Sequence, residues 1–207
     1  MLYIFNDLDK LDDDFPESVM YLLSEQRRMK VRRIQSSAGK KASAVVYLLL
    51  RCALKSLYGI DRIVDFEYVK NGKPVLKDYP QIHFSLSHTQ NAAACVVADI
   101  PAGVDVQQIK PISDKVAKRV LTVEEFKNFK DSVTPDEYFC EMWTIKESFL
   151  KQSGKGIAVE MREISAGSIS DKMVFKGKDY FCCISGQNAQ MMQIKHVGRE
   201  DFEPLCD

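Results

Sequence analysis

The chain has 207 residues, 29 Lys and Arg against 29 Asp and Glu, and a hydrophobic fraction of 45%. That is enough apolar material for one large or two small globular domains, and the lack of a basic excess argues against nucleic acid as a partner. The N-terminal "MLYIFNDLDKLDDDF" has neither a basic start nor a long apolar run, and the longest apolar stretch, "ASAVVYLLL", is half of the roughly 20 residues a membrane span needs. No secretory leader and no membrane association are expected. The six cysteines form no C-x-x-C pair, which argues against a zinc knuckle and suits buried thiols in a reducing compartment, so a cytoplasmic protein is expected.

In chain order, "LYIF" reads as a strand and the acidic "DLDKLDDD" as a loop. "ESVMYLLSEQRRMKVRRI" has helical spacing and closes in basic residues, as suits a helix C-terminal half. "SSAGKK" reads as a break, and "ASAVVYLLLRCALKSLYG" as a largely buried helix stopped by Gly59. "IVDFEYV", "NGKPVL" and "IHFSLSH" read as strand, turn and strand, and "AAACVVAD" and "AGVDVQQI" as two more short strands joined by the tight "IPAG". The cycle then repeats. "ISDKVAKRVLTVEEFKNFK" is predicted helical, and "TPDEYFCEMWTIKESFLKQSG" is a helix with Thr134 as N-cap and Pro135 at its first position. "DKMVFKGKDYFCCISG" reads as a hairpin and "AQMMQIKHV" as a closing strand. Helices followed by strands, twice, suggests two halves with a seam near Pro101, residues 1–101 and 102–207.

Three stretches could carry chemistry. In the helix over 134–154, the apolar arc is formed by Phe139, Met142, Trp143, Ile145, Phe149 and Leu150, and Lys146 lands near its middle. Lys146 either snorkels from apolar surface or meets an anion in a cleft, and Glu147 and Lys151, four apart, are either a surface ion pair or part of the same site. In "GVDVQ", Asp105 and Gln107 share one strand face, an oxygen-donor pair that suits half of a Mg²⁺ site or simply a solvated edge. "FSLSHT" sets Ser87 and His88 at a strand end, where hydroxyl and imidazole can donate to a phosphate or serve structure alone. No G-x-S-x-G elbow accompanies Ser87.

Together these stretches resemble a known family. "NGKPVL…FSLSHT…GVDVQ…WTIKESFLK" is similar to the 4′-phosphopantetheinyl transferases of the Sfp type, whose signatures are a G-[VI]-D-[VI]-E strand and a W-x-x-K-E-[AS]-x-x-K helix, preceded by F-[NS]-[IL]-S-H. Order and spacing agree over residues of about 20–160. The resemblance implies an α+β fold of two similar α/β subdomains about a pseudo-twofold axis, working as a monomer. It implies coenzyme A in the cleft between them as co-substrate, Mg²⁺ as cofactor and an apo acyl, polyketide or peptidyl carrier protein as partner. It matches Asp105 and Glu147 to metal ligands, with Gln107 where the pattern has Glu. It makes Glu147 the residue that deprotonates the carrier serine. Lys146 and Lys151 match the lysines on the pyrophosphate, with Lys151 facing the leaving bisphosphate. Ser87 and His88 match phosphate contacts, Lys73 and Pro74 the segment beside adenine, and Glu125 an acidic position near the metal. Lys30, Arg33 and one of Lys40 or Lys41 are candidates for the 3′-phosphate. Two other readings stay open at this point: a non-catalytic coenzyme A-binding module, with Gln107 as the mark of lost activity, and a metal-dependent pyrophosphatase that needs no carrier.

Overall fold

The computed structural model describes residues 1–69, 72–154 and 160–206. Asn71 of the expected turn, and Lys155 and Gly156 of the helix exit, lie outside them. In chain order the elements are β1 (Leu2–Phe5), α1 (Phe15–Ser18), α2 (Glu25–Arg33), α3 (Ser37–Tyr58), β2 (Phe66–Tyr68), β3 (Pro74–Leu76), β4 (His83–His88), β5 (Ala93–Ala98), β6 (Gly103–Gln108), α4 (Asp114–Val120), α5 (Val123–Asp131), α6 (Pro135–Ser153), β7 (Lys172–Lys176), β8 (Tyr180–Ser185) and β9 (Ile194–His196). Short 3₁₀ turns fill several of the connections. The fold is α+β.

Alternation along β1 sets the layers. Tyr3 and Phe5 point one way and Leu2 and Ile4 the other, and all four are buried. Tyr3 and Phe5 join Cys95 and Val97 of β5 under the apolar face of α3, which packs across the sheet ordered β4-β5-β1-β9. Leu2 and Ile4 join Ala94 and Val96, and meet Val104, Val106, Cys182 and Ile184 of a second sheet ordered β6-β8-β7. The outer face of that sheet is covered by α6, through Ile145 against Cys183. The layers therefore run α3, sheet, sheet, α6. β9 pairs in parallel with β1, and Phe202 and Leu205 beyond it pack into the first core.

The structure corrects several boundaries. The expected helix over 17–34 is broken, because Ser24 turns extended and its hydroxyl accepts from Arg27 N, starting α2 afresh. The "SSAGKK" break is instead a helix start: Ser36 caps Gly39 N and α3 runs from Ser37 to Gly59, which closes it at φ +66°. Pro74–Leu76 is a strand paired with β2 rather than a turn. The helical stretch over 112–130 divides in two at Thr122, which forms a reciprocal capping box with Glu125. Thr134 precedes α6 as expected, with Pro135 at N1, but its side chain makes no capping bond.

Candidate active site

Gly103 begins the site, because it has no side chain. A Cβ there would lie 2.0 Å from Ser148 O and 2.4 Å from Gln152 N, both backbone atoms of α6. Glycine lets the helix lie directly on β6, and the residues on that same strand face, Asp105 and Gln107, then look along α6. Asp105 is buried; its Oδ1 accepts from Lys151 Nζ at 2.7 Å and from Ser87 Oγ at 2.8 Å. Its Oδ2 is buried with no hydrogen-bond partner. A desolvated carboxylate oxygen left without a donor is costly unless something else fills that role.

The two sheets are joined beside this aspartate by hydroxyls. Ser85 Oγ accepts from Val104 N and Ser87 Oγ from Val106 N, each at 3.1 Å. The S-x-S of β4 thus runs alongside the V-x-V of β6. The resemblance gives Ser87 a phosphate contact, but its hydroxyl is committed here: it donates to Asp105 and accepts from Val106 N and from Lys151 Nζ at 3.0 Å. Ser85 carried no expectation, although its place two residues before Ser87 in an apolar strand is the readable signal.

Two adjoining cavities share a wall made of Leu86, His88, Glu147 and Lys151. The larger, of about 510 Å³, has apolar walls from Phe66, Pro74, Phe84 and Leu150 and a basic rim of Arg27, Lys30 and Lys73. The smaller, of about 360 Å³, is lined also by Ser87, Asp105, Gln107 and Trp143. Burial, reinforced by the charge of Asp105, pushes Glu147 above the usual carboxylate range, and Lys151 pulls it back. Desolvation, with Lys151, Lys30 and Arg27 nearby, holds His88 below the ordinary histidine value of 6.5. Lys73 Nζ donates to Gln152 O at 3.0 Å, so the β2–β3 hairpin also caps the end of α6.

Four assignments from the resemblance change. Lys146 does not reach the cleft: it is fully buried, with Nζ on Val120 O at 2.7 Å and on Glu125 Oε2 at 2.5 Å. Glu125, its partner there, lines neither cavity. Its Oε1 accepts from Ala166 N at 2.8 Å and its Oε2 also from Thr122 N at 2.9 Å. Burial pushes Glu125 up, but Lys146 and those two amides outweigh it, so it stays ionised. Lys41 is paired with Asp13 at 2.8 Å and, like Lys40 and the exposed Arg33, lies outside the walls of both cavities. In their place stands Arg27, one turn before Lys30. Its guanidinium lies 5.5 Å from the ring centroids of Tyr47 and Phe66 and donates to Ser43 O and Oγ at 3.4 Å. The basic run 27–33 contains Arg27, but composition does not say which of its members turns inward.

Among the described residues no group of three or more His, Cys, Asp or Glu side chains gathers to hold a cation on its own. The donors at the cleft are two carboxylates and one amide, Asp105, Glu147 and Gln107. That set, with one buried unpartnered oxygen, fits a hard cation that completes its shell with water and phosphate. Basic groups on one side and carboxylates on the other can bind a polyanion at one end and take a proton at the other.

Comparison with known proteins gives concordant results. A family model, described as the 4′-phosphopantetheinyl transferase superfamily, matches residues 101–192. The chain is 30% identical over 167 residues to 4′-phosphopantetheinyl transferase Sfp of Bacillus subtilis strain 168, covering 79% of this chain and 75% of that protein. It is 31% identical over 153 residues to a second Bacillus subtilis 4′-phosphopantetheinyl transferase, covering 72% and 68%. It is 29% identical over 154 residues to 4′-phosphopantetheinyl transferase psf-1 of Bacillus pumilus, covering 72% and 66%.

Proposed function

Because the chain belongs to the 4′-phosphopantetheinyl transferase family, we propose that it moves the 4′-phosphopantetheine arm of coenzyme A onto a serine hydroxyl of an apo acyl, polyketide or peptidyl carrier protein, releasing adenosine 3′,5′-bisphosphate. One observation carries this reading: the buried, unpartnered Oδ2 of Asp105 sits in the same cleft as Glu147, on the wall next to a cavity with a basic rim. The larger cavity takes the nucleotide end, with its base among Pro74, Phe66 and Phe84 and its phosphates on Arg27, Lys30 and His88. Asp105 and Glu147, with Gln107 as a neutral donor, would hold Mg²⁺, and the bound ion supplies positive charge to the pyrophosphate oxygens.

The rest is done by the chain's own groups. The carrier serine is a weak nucleophile at neutral pH, and a Glu147 oxygen turned to the smaller cavity receives its proton. The serine oxygen bonds to the phosphorus that bears pantetheine, the bridging P–O bond breaks, and its electron pair leaves with the bisphosphate. Lys151 Nζ offsets that charge in a partly dry cleft, where such interactions strengthen. The same reading makes residues 1–101 and 102–207 subdomains that complete one site within one chain, so a cytoplasmic monomer is proposed. The test mixes the protein with coenzyme A, Mg²⁺ and a panel of apo carriers and follows carrier mass. Gain of one phosphopantetheine arm is expected. Coenzyme A binding with no gain in any carrier indicates a binding module, and coenzyme A cleavage without carrier a pyrophosphatase.

Two further results are expected. Gln107→Glu adds a negative charge to the donor set, so half-saturation of transfer by Mg²⁺ should fall several-fold; an unchanged metal titration would remove Gln107 from the site. Desolvation, with Lys151, Lys30 and Arg27 nearby, lowers the pKa of His88, and phosphates brought beside it reverse that field and raise it. Binding therefore takes up protons at pH values between the lowered free and the raised bound pKa. Calorimetry of coenzyme A binding near pH ~6.5, in buffers of different ionisation enthalpy, should show uptake that disappears in His88→Gln. Equal uptake by both proteins would assign the proton elsewhere.

A further inference from the structure

Three consecutive residues on α6 meet three different surroundings. Lys146 is fully buried and bonded to Val120 O and Glu125. Ser148 is also fully buried, with its Oγ 2.7 Å from Ser185 Oγ on β8 and 3.1 Å from Cys183 Sγ. Between them Glu147 lines both cavities. Successive helical residues lie about 100° apart, so the two anchors hold the helix on either side of the direction in which Glu147 points. They resist rotation of α6 about its axis.

The anchor on the Lys146 side is itself fixed. Glu125 has both oxygens engaged, by Thr122 N in the capping box and by Ala166 N beyond α6. Lys146 therefore ties the catalytic helix to the α4–α5 junction and to the segment around Ala166 at one point. A buried ion pair is a poor device for stability alone, since apolar replacements of similar volume are often neutral or better. Its geometry matters more. A roll of about 20° moves a carboxyl some 5–6 Å from the helix axis by about 2 Å. That exceeds the ~1 Å misplacement that costs about 10²-fold in rate.

We propose that the Lys146–Glu125 pair and the Ser148–Ser185 contact form a two-sided clamp that sets the roll of α6 and thereby holds Glu147 opposite Asp105. Lys146, Glu125 and Ser148 are positioning residues in this arrangement. The kinetic consequence rests on the transferase reading; the structural one does not.

The test removes both charges together, as Lys146→Met with Glu125→Gln, which keeps the apolar stem and an acceptor for one of the two amides. Against a transferable carrier, kcat should fall about 10- to 100-fold while KM for coenzyme A stays within about twofold, because the basic rim is untouched. Trp143 supplies a readout that needs no turnover. It is the single tryptophan of the chain, lies one turn before Glu147 and lines the smaller cavity. Its emission should shift to the red and its quenching by acrylamide rise, with far-UV circular dichroism unchanged. A folded double variant with wild-type emission and wild-type kcat overturns the clamp. A double variant that does not fold passes the decision to Ser148→Ala, where the same pair of unchanged readouts overturns it. Wild-type protein that modifies no carrier sinks the transferase reading, and Trp143 emission still decides the clamp.

Discussion

Replacing Glu147 by glutamine should lower carrier modification by about 10³-fold or more, because a general base, the role proposed for it, alone contributes about 10²–10⁴-fold and the same proposal places it in the cation's donor set. Glutamine keeps the shape, so the loss is one of charge. The fold should not suffer. Burial and the neighbouring Asp105 both disfavour the ionised carboxylate at this position, with only Lys151 in its favour. A carboxylate whose folded pKa is raised weakens the fold as pH climbs through that value. Glu147→Gln should therefore melt at the wild-type temperature or higher at pH above the usual carboxylate range. Mass analysis of the carrier and a thermal melt decide the matter together. Near-normal turnover, or inactivity that merely tracks unfolding, would remove Glu147 from the chemistry.

The largest structural effect is expected at a residue with no side chain. In Gly103→Ala the new methyl group meets Ser148 O, Gln152 N and Gln152 Cα, the last at 3.0 Å. All three are backbone atoms, so no rotamer change relieves the clash and α6 must lift from β6. Overpacking of this kind costs about 1–3 kcal/mol, or roughly 2–12 °C of melting temperature in a protein of this size. Activity should fall further than the folded fraction, because the shift separates Asp105 from Glu147 and Lys151. Gly59→Ala is the control. Gly59 closes α3 at φ +66° with nothing within 4 Å of a Cβ, so its substitution strains the backbone but displaces no element. Gly103→Ala melting no lower than Gly59→Ala would show that the close approach is not what the glycine serves.

Much of the fold was legible because local rules and long-range packing agree there. The largely apolar stretch 42–54 is too long for a strand and reads as a buried helix, Gly59 stops it, and the alternation of Val104 and Val106 with Asp105 and Gln107 assigns both faces of β6. The helix boundaries at Ser24, Ser36 and Thr122 are set by local caps, whereas the misplaced site residues turn on partners distant in the chain. The family pattern places Lys146 in the cleft, although its position in the middle of the apolar arc points to a core. What could not be seen was Glu125, 21 residues away, waiting in that core. The T-x-x-E of "LTVEEF" is a readable capping box, yet nothing local says that the same carboxylate also receives a lysine. Charge alone suggests a phosphate for Lys41, whereas Asp13 pairs with it. Arg27 stands in a row of five basic side chains that differ mainly in which way each faces, and nothing local singles it out. Identity and order of residues point to Asp105, Glu147 and Lys151, which do line one cleft, and the pairing of charges in three dimensions decides where the other basic and acidic side chains go.

The hydroxyl seam between β4 and β6 has a consequence of its own. In a continuous sheet the distance between neighbouring strands is fixed by backbone N–H and C=O groups, at about 4.7–4.9 Å, and no substitution alters it. Here, beside the apolar core that the two layers share, the strand-to-strand contact between the layer that bears the basic rim and the layer that bears Asp105 runs through Ser85 and Ser87 side chains. The gauge of the cleft is thus written in replaceable atoms. Alanine at Ser85 unlatches one rung without touching either cavity's charges, and a longer hydroxyl or amide there resets the spacing. A change at that one position should shift one layer against the other and with it the opening of the cleft, the apolar residues between the two sheets yielding to follow.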